Sequence, residues 1–307
     1  MTGTLGIDTS NYKTSAAVYR KDGEWLVNGK LLDVPRGELG LRQNDALFLH
    51  TKALPEILKP AMEAPEEFSA VGVSYAPRRS ENSYMPCFLA GKSTGKIISD
   101  ALKIQFFTFS HQEGHLAAAA LSAGREDLLS GEFLAWHLSG GTSELLLVRP
   151  DKDHVIDALV IGGTNDLAAG QLIDRAGVLL KLRFPAGEAL DDLSAGAGAK
   201  NYMRVKTNGL FFSLSGAENK INEQAEAGRQ PEDISYFAIS TVLNAVLDVT
   251  LKVKKQYNLP LLCSGGVMAN RMIGEELKKT GAIFAGPGLS GDNALGVAYL
   301  AALKLEV

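Results

Sequence analysis

The chain has 307 residues, of which 46% are hydrophobic and 21% are charged, with a formal net charge of −4. This composition is ordinary for globular proteins and argues against a tail, a filament or a strongly basic nucleic-acid-binding protein. We see no apolar run near the ~20 residues of a membrane span and no leader before the first strand, so we expect a cytoplasmic two-domain enzyme. Cys87 and Cys263 match no disulfide or zinc spacing, and each is expected to be a reduced core residue.

One pattern of strand, turn and strand occurs twice. Residues 5–10 lead into 15–19, and residues 133–142 lead into 144–148, with small polar residues at each turn. Such turns let backbone N–H groups and short hydroxyls converge on an anion. The duplication predicts two related lobes that hold a phosphate tail between them. Two unrelated hairpins in an α/β enzyme are the alternative.

Strands and helices alternate along the rest of the chain. The first half is predicted to contain helix 46–63, strand 68–74, helix 90–102 and strand 104–109. The second half is predicted to contain helix 165–180, a loop at 184–187, helix 231–257, strand 259–263 and a segment 264–270 that opens another helix. This alternation favours parallel sheets covered by helices.

The segment after strand 104–109 carries the clearest chemical signal. Ser110 and Glu113 have capping-box spacing, which predicts that a helix begins here. On that helix His111 and His115 lie four residues apart on one face, as two imidazole ligands of one metal ion require. A surface histidine pair is the ordinary alternative. The glutamate is misplaced for an HExxH motif, so a zinc-protease mechanism is disfavoured.

Asp292 is the candidate third ligand. Residues 287–296 look like a loop that enters a terminal helix, and Asp292 stands near the start of that helix. On local evidence a helix cap is its more ordinary role. In a two-lobed fold, however, loops at the carboxyl ends of strands face one cleft.

Eight ordered motifs carry a family resemblance over nearly the whole chain. They are residues 6–10, 111–115, 138–141, 173–175, 184–187, 212–216, 264–270 and 292–294. Together they resemble the TsaD family, the threonylcarbamoyl-adenosine synthases formerly called O-sialoglycoprotein endopeptidases. The resemblance implies an α/β, two-lobed fold of the actin, sugar-kinase and heat-shock ATPase type with a duplicated mixed-sheet core. Residues 1–108 with 292–307 would form the N-terminal lobe, and 109–291 the C-terminal lobe with the metal and nucleotide pocket.

The same resemblance implies the site. His111, His115 and Asp292 would hold one divalent metal ion, iron or zinc, and Mg²⁺ could accompany ATP or an adenylate. The substrate and nucleotide contacts would be His137, Leu138, Ser139, Gly140, Gly141, Asp174, Gly187, Asp191 and Asn270. The candidate catalytic residues are Asp8, Ser139 and Lys13; Lys13 departs from the family pattern but could pair with a phosphate. The family transfers a threonylcarbamoyl group from threonylcarbamoyl-AMP to N6 of an adenosine beside the tRNA anticodon. Its members usually work with other proteins of that pathway, and no membrane is involved.

Some residues depart from the family pattern around the expected reaction centre. Tyr12 and Lys13 stand where the family has acids, and Thr142 stands where it has a histidine. Segment 76–84 replaces a compact glycine-rich loop; its Arg78 and Arg79 could contact RNA phosphates or simply be solvated. These changes leave three interpretations: the tRNA transferase itself, a divergent carbamoyltransferase or ATPase with another acceptor, and a non-catalytic nucleotide-binding partner of the true enzyme.

Overall fold

The computed structural model describes residues 2–10, 12–33, 41–64, 67–80, 83–286 and 293–306. The strands in that part of the chain are β1 (Thr2–Ser10), β2 (Lys13–Arg20), β3 (Trp25–Leu31), β4 (Glu67–Ala76), β5 (Gln105–Ser110), β6 (Phe133–Leu138), β7 (Ser143–Asp151), β8 (Val155–Thr164), β9 (Thr207–Asn208), β10 (Phe211–Phe212), β11 (Leu261–Ser264) and β12 (Ile283–Phe284). The α-helices are α1 (Gln43–Glu63), α2 (Phe88–Leu102), α3 (His111–Ser122), α4 (Ala169–Leu179), α5 (Gly187–Ser194), α6 (Ser215–Glu226), α7 (Pro231–Tyr257), α8 (Arg271–Lys278) and α9 (Asn293–Glu306).

The chain forms two compact units. Unit 1 comprises residues 1–130, 149–158 and 286–307, and unit 2 comprises residues 131–148 and 159–285. The predicted C-terminal lobe, 109–291, does not coincide with unit 2. Helix α3 lies within that range, but it packs against α9 and belongs to unit 1. The predicted metal-binding histidines on α3 therefore belong to unit 1, together with β1.

The two sheets repeat one topology. In unit 1 the order is β3-β2-β1-β4-β5, where β1 runs antiparallel to β2 and parallel to β4. The second sheet contains the order β8-β7-β6-β11-β12, where β6 runs antiparallel to β7 and parallel to β11. Both predicted hairpins are confirmed. The first consists of β1 and β2 and the second of β6 and β7, and the two pairs occupy equivalent positions in their sheets. The duplicated mixed-sheet core expected from the resemblance is therefore present.

Each unit has an apolar core of its own. In unit 1 Leu5, Ile7 and Val18 of the hairpin pack against α1 and β4. In unit 2 alternate residues of β6, among them Leu134 and Trp136, pack against α4 and α7. Helix α7 begins at a proline, which suits a first helical turn, and its bounds agree with the prediction. By length and composition α7 could cross a membrane, but 72% of its most apolar stretch is buried inside the protein.

Candidate functional site

Helix α3 begins directly after β5, and a complete capping box fixes its first turn. The hydroxyl of Ser110 accepts a hydrogen bond from the N–H of Glu113 at 3.2 Å, and Glu113 Oε2 accepts one from the N–H of Ser110 at 2.5 Å. Two otherwise unpaired backbone donors of the helix start are thereby satisfied. The predicted capping box is confirmed, and it holds the turn that carries His111.

His111 and His115 converge through their Nε2 atoms. These atoms lie 2.9 Å apart, and the ring centroids are separated by 4.2 Å with an interplanar angle of 75°. Two imidazole nitrogens that each lie ~2.1 Å from one metal ion would be about 3.0 Å apart at a ligand angle of 90° and about 3.4 Å apart at the tetrahedral angle, so the observed separation is closest to that of two neighbouring ligands at 90°. The predicted third ligand, Asp292, lies outside the described residues. Within the described ranges no group of three or more His, Cys, Asp or Glu residues could hold a metal ion.

Asp8, at the end of β1, lies against His111. Its buried carboxylate is 3.2 Å from His111 Nδ1 and accepts hydrogen bonds from Ser10, Ser74 and Asn293. Burial raises the pKa of Asp8, but His111 and the two hydroxyls lower it more, so the pKa lies well below its ordinary value. Donation from Nδ1–H to this carboxylate leaves the Nε2 lone pair for a metal. The other tautomer, with Nδ1 accepting from Asn293 at 2.5 Å, would put the proton on Nε2.

Lys13, the second candidate catalytic residue of unit 1, is the first residue of β2. It lies opposite Ser10 in the hairpin register, two positions from Asp8. A Cβ atom built at Gly29 would stand 2.9 Å from Lys13 Cε, so the lysine stem runs over β3. Strand β3 lies on the side of β2 away from β1. A catalytic role for Lys13 stays a prediction.

In unit 2 the turn between β6 and β7 is tightly closed. The N–H of Ser139 donates to Thr142 O at 2.8 Å, and Ser139 Oγ accepts from the N–H of Thr142 at 3.2 Å. Two glycines outside the turn allow this backbone to be approached closely. A Cβ at Gly170 would lie 2.3 Å from Ser139 O, and one at Gly265, where φ is +97°, would lie 2.2 Å from Leu138 O. Glycine is the residue that permits both features.

A cleft of about 650 Å³ lies beside this turn in unit 2. Five of the predicted nucleotide contacts line it: Gly140, Asp174, Gly187, Asp191 and Asn270. Its volume falls within the usual range for small-molecule sites. The other predicted contacts, His137, Leu138, Ser139 and Gly141, lie on the adjoining end of β6 and in the turn. His137 is 3.2 Å from the hydroxyl of Ser264 on the neighbouring strand.

The polar residues of the cleft also fix its walls. Asp174 Oδ1 accepts a hydrogen bond from the N–H of Ala186 at 2.9 Å, which holds the 184–187 loop. Asn270 Oδ1 accepts from the N–H of Ile273 at 3.1 Å and caps α8. Asp174 Oδ2 and the Asn270 amide nitrogen are then an acceptor and a donor suited to ribose hydroxyls and a nucleobase.

Arg271 is a cleft residue that the sequence did not predict. Its backbone N–H and its Nε both donate to Asp191 Oδ2, at 3.1 and 2.9 Å, and its Nη2 donates to Asp192 at 2.6 Å. These pairs join residues about 80 positions apart in the chain, so no local spacing could indicate them. One oxygen of the predicted ligand Asp191 is thus occupied by the protein itself.

Asp166 is a second residue whose role the sequence did not predict. Its Oδ1 accepts from the N–H groups of Leu167 and Leu214, and its Oδ2 accepts from the N–H of Ser215 and the hydroxyl of Ser213. Burial raises the pKa of Asp166, but these donors lower it more, so the pKa lies well below its usual value. An aspartate that caps a helix from elsewhere in the chain ties the 212–216 motif to the end of β8.

Comparison with known protein sequences gives a consistent result. A sequence model described as "TsaD: tRNA N6-adenosine threonylcarbamoyltransferase" matches residues 45–299. A protein named tRNA N6-adenosine threonylcarbamoyltransferase from Streptococcus suis is 32% identical, over 98% of this chain and 91% of its own length. One of the same name from Methanopyrus kandleri is 25% identical, over 98% and 87%.

Solved structures share the fold. Component A of (R)-2-hydroxyglutaryl-CoA dehydratase from Acidaminococcus fermentans has a TM-score of 0.59 at 15% identity and covers 100% of both chains. HypF in its phosphate- and nucleotide-bound form has a TM-score of 0.64 at 15% identity, over 100% of this chain and 56% of that one. A ROK family glucokinase from Streptomyces griseus has a TM-score of 0.55 at 13% identity, over 98% and 99%. The predicted actin and sugar-kinase type of fold is confirmed.

Proposed function

Because the chain belongs to the TsaD family of tRNA N6-adenosine threonylcarbamoyltransferases, we propose that it transfers a threonylcarbamoyl group from threonylcarbamoyl-AMP to N6 of a tRNA adenosine beside the anticodon, with a divalent metal ion as cofactor. Membership of that family makes the chain an acyltransferase in general terms. The observation that carries the proposal is the cleft of unit 2, where five of the expected nucleotide contacts meet beside a glycine turn.

The reaction is a substitution at a carbonyl carbon. The N6 nitrogen of adenosine attacks the carbonyl carbon of the threonylcarbamoyl group, and a new C–N bond forms. The C–O bond to the phosphate of AMP breaks, and AMP leaves with its electron pair. The attacking nitrogen gives up one proton, which passes to water or to the released phosphate of AMP. The protein therefore has to hold the adenylate, orient its carbonyl and stabilise charge on the leaving phosphate.

The residues of unit 2 suit the adenylate. Asp174 and Asp191 each offer a carboxylate oxygen for ribose hydroxyls, and Asn270 offers an amide N–H. A Cβ built at Gly140 or Gly187 would meet no atom within 4 Å, so ligand atoms can approach the backbone there. Backbone N–H groups of the Ser139–Gly141 turn are proposed to bind the phosphate, with Ser139 as a catalytic contact.

The residues of unit 1 suit the metal. We propose His111 and His115 as its ligands, with Asp292 as the third. A bound iron or zinc ion would supply Lewis acidity toward a carbonyl or phosphate oxygen. Donation from His111 Nδ1–H to Asp8 would give the tautomer that a metal requires, so the proposed part of Asp8 in catalysis is to orient that ligand.

The test is mass spectrometry of the reaction products. Protein loaded with iron or zinc is incubated with threonylcarbamoyl-AMP, with and without unmodified tRNA, and both AMP release and nucleoside mass are read. A parallel set contains the other proteins of the pathway. Threonylcarbamoyl-adenosine in the tRNA is the expected result. AMP release without that nucleoside in either set would contradict tRNA as the acceptor, and binding without turnover would contradict catalysis.

A further inference from the structure

Arg79 lies in the loop after β4, and its guanidinium is bound by the protein. Its Nε donates to Glu113 Oε1 at 3.0 Å, and its Nη2 contacts the same oxygen and donates to Ile156 O at 2.7 Å. Its Nη1 is 3.4 Å from Asp151 and 3.6 Å from Asp157. Three carboxylates around one guanidinium leave a negative surplus. The phosphate-binding role considered for Arg79 therefore does not suit this site.

The buried partner of Arg79 is the carboxylate of Glu113, whose charge the guanidinium neutralises. Glu113 is only 1% exposed, and it stands between the two histidines on α3. Its Oε2 closes the capping box, and its Oε1 receives Arg79. A buried carboxylate is costly unless it is both paired and hydrogen-bonded, and a two-pronged guanidinium does both at once.

The same loop also contacts the first turn of α3 through its backbone. The N–H of Gln112, between His111 and Glu113, donates to Pro77 O at 3.0 Å. The loop thus holds this turn at two points, one through the backbone and one through the ion pair. Movement of the turn would change the separation of the His111 and His115 Nε2 atoms, which is 2.9 Å.

We infer that Arg79 is a positioning residue for the histidine pair: it fixes the first turn of α3 through Glu113 so that both imidazole nitrogens face one metal ion. The inference rests on the metal site of the proposed function. It assigns a role to a loop that departs from the family pattern. A purely stabilising role for Arg79 would differ in one measurable way. If Arg79 positions the histidines, its replacement lowers metal affinity by more than the accompanying loss of stability explains.

The experiment measures Co²⁺ binding to the full chain, with Co²⁺ alone as the probe. Equilibrium dialysis gives the affinity, the visible absorption of Co²⁺ reports its ligands, and thermal melting in chelator gives the stability. Arg79→Met is expected to weaken Co²⁺ binding up to about tenfold, the lower end of the range for losing a group bonded directly to a metal ligand, because Arg79 acts on the histidines only through Glu113. Arg79→Lys keeps the positive charge but loses the two-pronged guanidinium, so its Co²⁺ affinity should lie between those of wild type and Arg79→Met. Arg125→Met, which breaks an exposed pair with Asp127, is the matched control and should bind as wild type does.

Three results would overturn the inference. The first is Arg79→Met with a lower melting temperature and an unchanged Co²⁺ affinity. If that variant does not fold, Arg79→Met with Glu113→Gln removes both charges together, and unchanged affinity in that double variant is the second. The third is a wild-type protein that binds no Co²⁺. Failure of tRNA modification with Co²⁺ binding intact would contradict the proposed function alone.

Discussion

Gly114 of α3 and Gly296 of α9 are in backbone contact. A Cβ at Gly296 would stand 1.8 Å from the carbonyl oxygen of Gly114, and a Cβ at Gly114 would stand 2.1 Å from Asn293 Oδ1. Two glycines therefore let the helix with the histidine pair pack directly on the terminal helix. This approach is what brings Asn293 within reach of Asp8 and His111.

Gly296→Ala should destabilise the protein by about 3 kcal/mol, because the added methyl meets backbone that no side-chain rotation can clear. Urea unfolding followed by circular dichroism measures the change. Gly216→Ala is the control: its nearest neighbour would be Met203 Cε at 3.6 Å, an ordinary contact in a helix. That variant should be neutral or more stable by about 0.5–1 kcal/mol. Equal stabilities of the two variants would contradict the close packing of α3 on α9.

Replacement of His111 and His115 by alanine should abolish metal retention and leave the fold intact, because it removes the two proposed imidazole ligands, whose Nε2 atoms converge. Elemental analysis of the purified protein gives the metal stoichiometry, and circular dichroism checks the fold. His154→Gln is the matched control, since His154 lies in the turn region between β7 and β8 and is not a proposed ligand. An unchanged stoichiometry in the double alanine variant would contradict the metal site.

Asp174→Asn should weaken the binding of AMP about tenfold. The substitution removes the charge that we propose attracts ribose hydroxyls, and it disturbs the hydrogen bond to the N–H of Ala186 that shapes the loop wall. Isothermal titration calorimetry with AMP measures the effect. Asp192→Asn is the control within the same cleft, because the side chain of Asp192 is 68% exposed and pairs with Arg271 at the surface. Equal losses in both variants would show that only overall charge matters.

Local patterns in the sequence predicted the elements that depend on local interactions. Both hairpins, the capping box of α3 and the full extent of α7 follow from turn residues, cap spacing or apolar periodicity. Helix 165–180 was predicted to start too early, since α4 begins at Ala169. Asn165 and Asp166 instead bind the 212–216 segment, and the N–H of Asn165 donates to Phe212 O at 2.9 Å.

The sequence did not predict elements with a weak local pattern, or contacts between residues that are far apart in the chain. Strands β3 and β8 and helices α5 and α6 were not predicted; in α6 only Ala217 and Ile221 are buried, so the apolar stripe is too thin to detect. The pairs of Arg79 with Glu113 and of Arg271 with Asp191 join residues far apart in the sequence. The site residues could be named because the order of the motifs points to a family, whereas Arg79 and Arg271, which bind Glu113 and Asp191, lie in none of those motifs.

The low pKa of Asp166 leads to a pH prediction of definite sign. Its carboxylate accepts four hydrogen bonds when ionised and serves the start of α6. A group whose folded-state pKa is depressed stabilises the protein above its unfolded pKa of about 4, and that stabilisation is lost as the pH falls through the folded pKa. The contribution should therefore be complete at pH 7 and shrink in strong acid.

Asp166→Asn should cost about 1 kcal/mol at pH 7, the usual value for a lost helix cap. The difference from wild type should narrow as the pH falls below about 4, because Asp166 of the unfolded wild-type chain then takes up a proton, whereas the folded-state carboxylate stays ionised to lower pH. Urea midpoints at pH 7, 5 and 3 measure both quantities. Asp153→Asn, an exposed carboxylate between β7 and β8, should match wild type at every pH. A gap for Asp166→Asn that stays constant down to the lowest pH would mean that the neutral side chain serves the cap as well as the charged one.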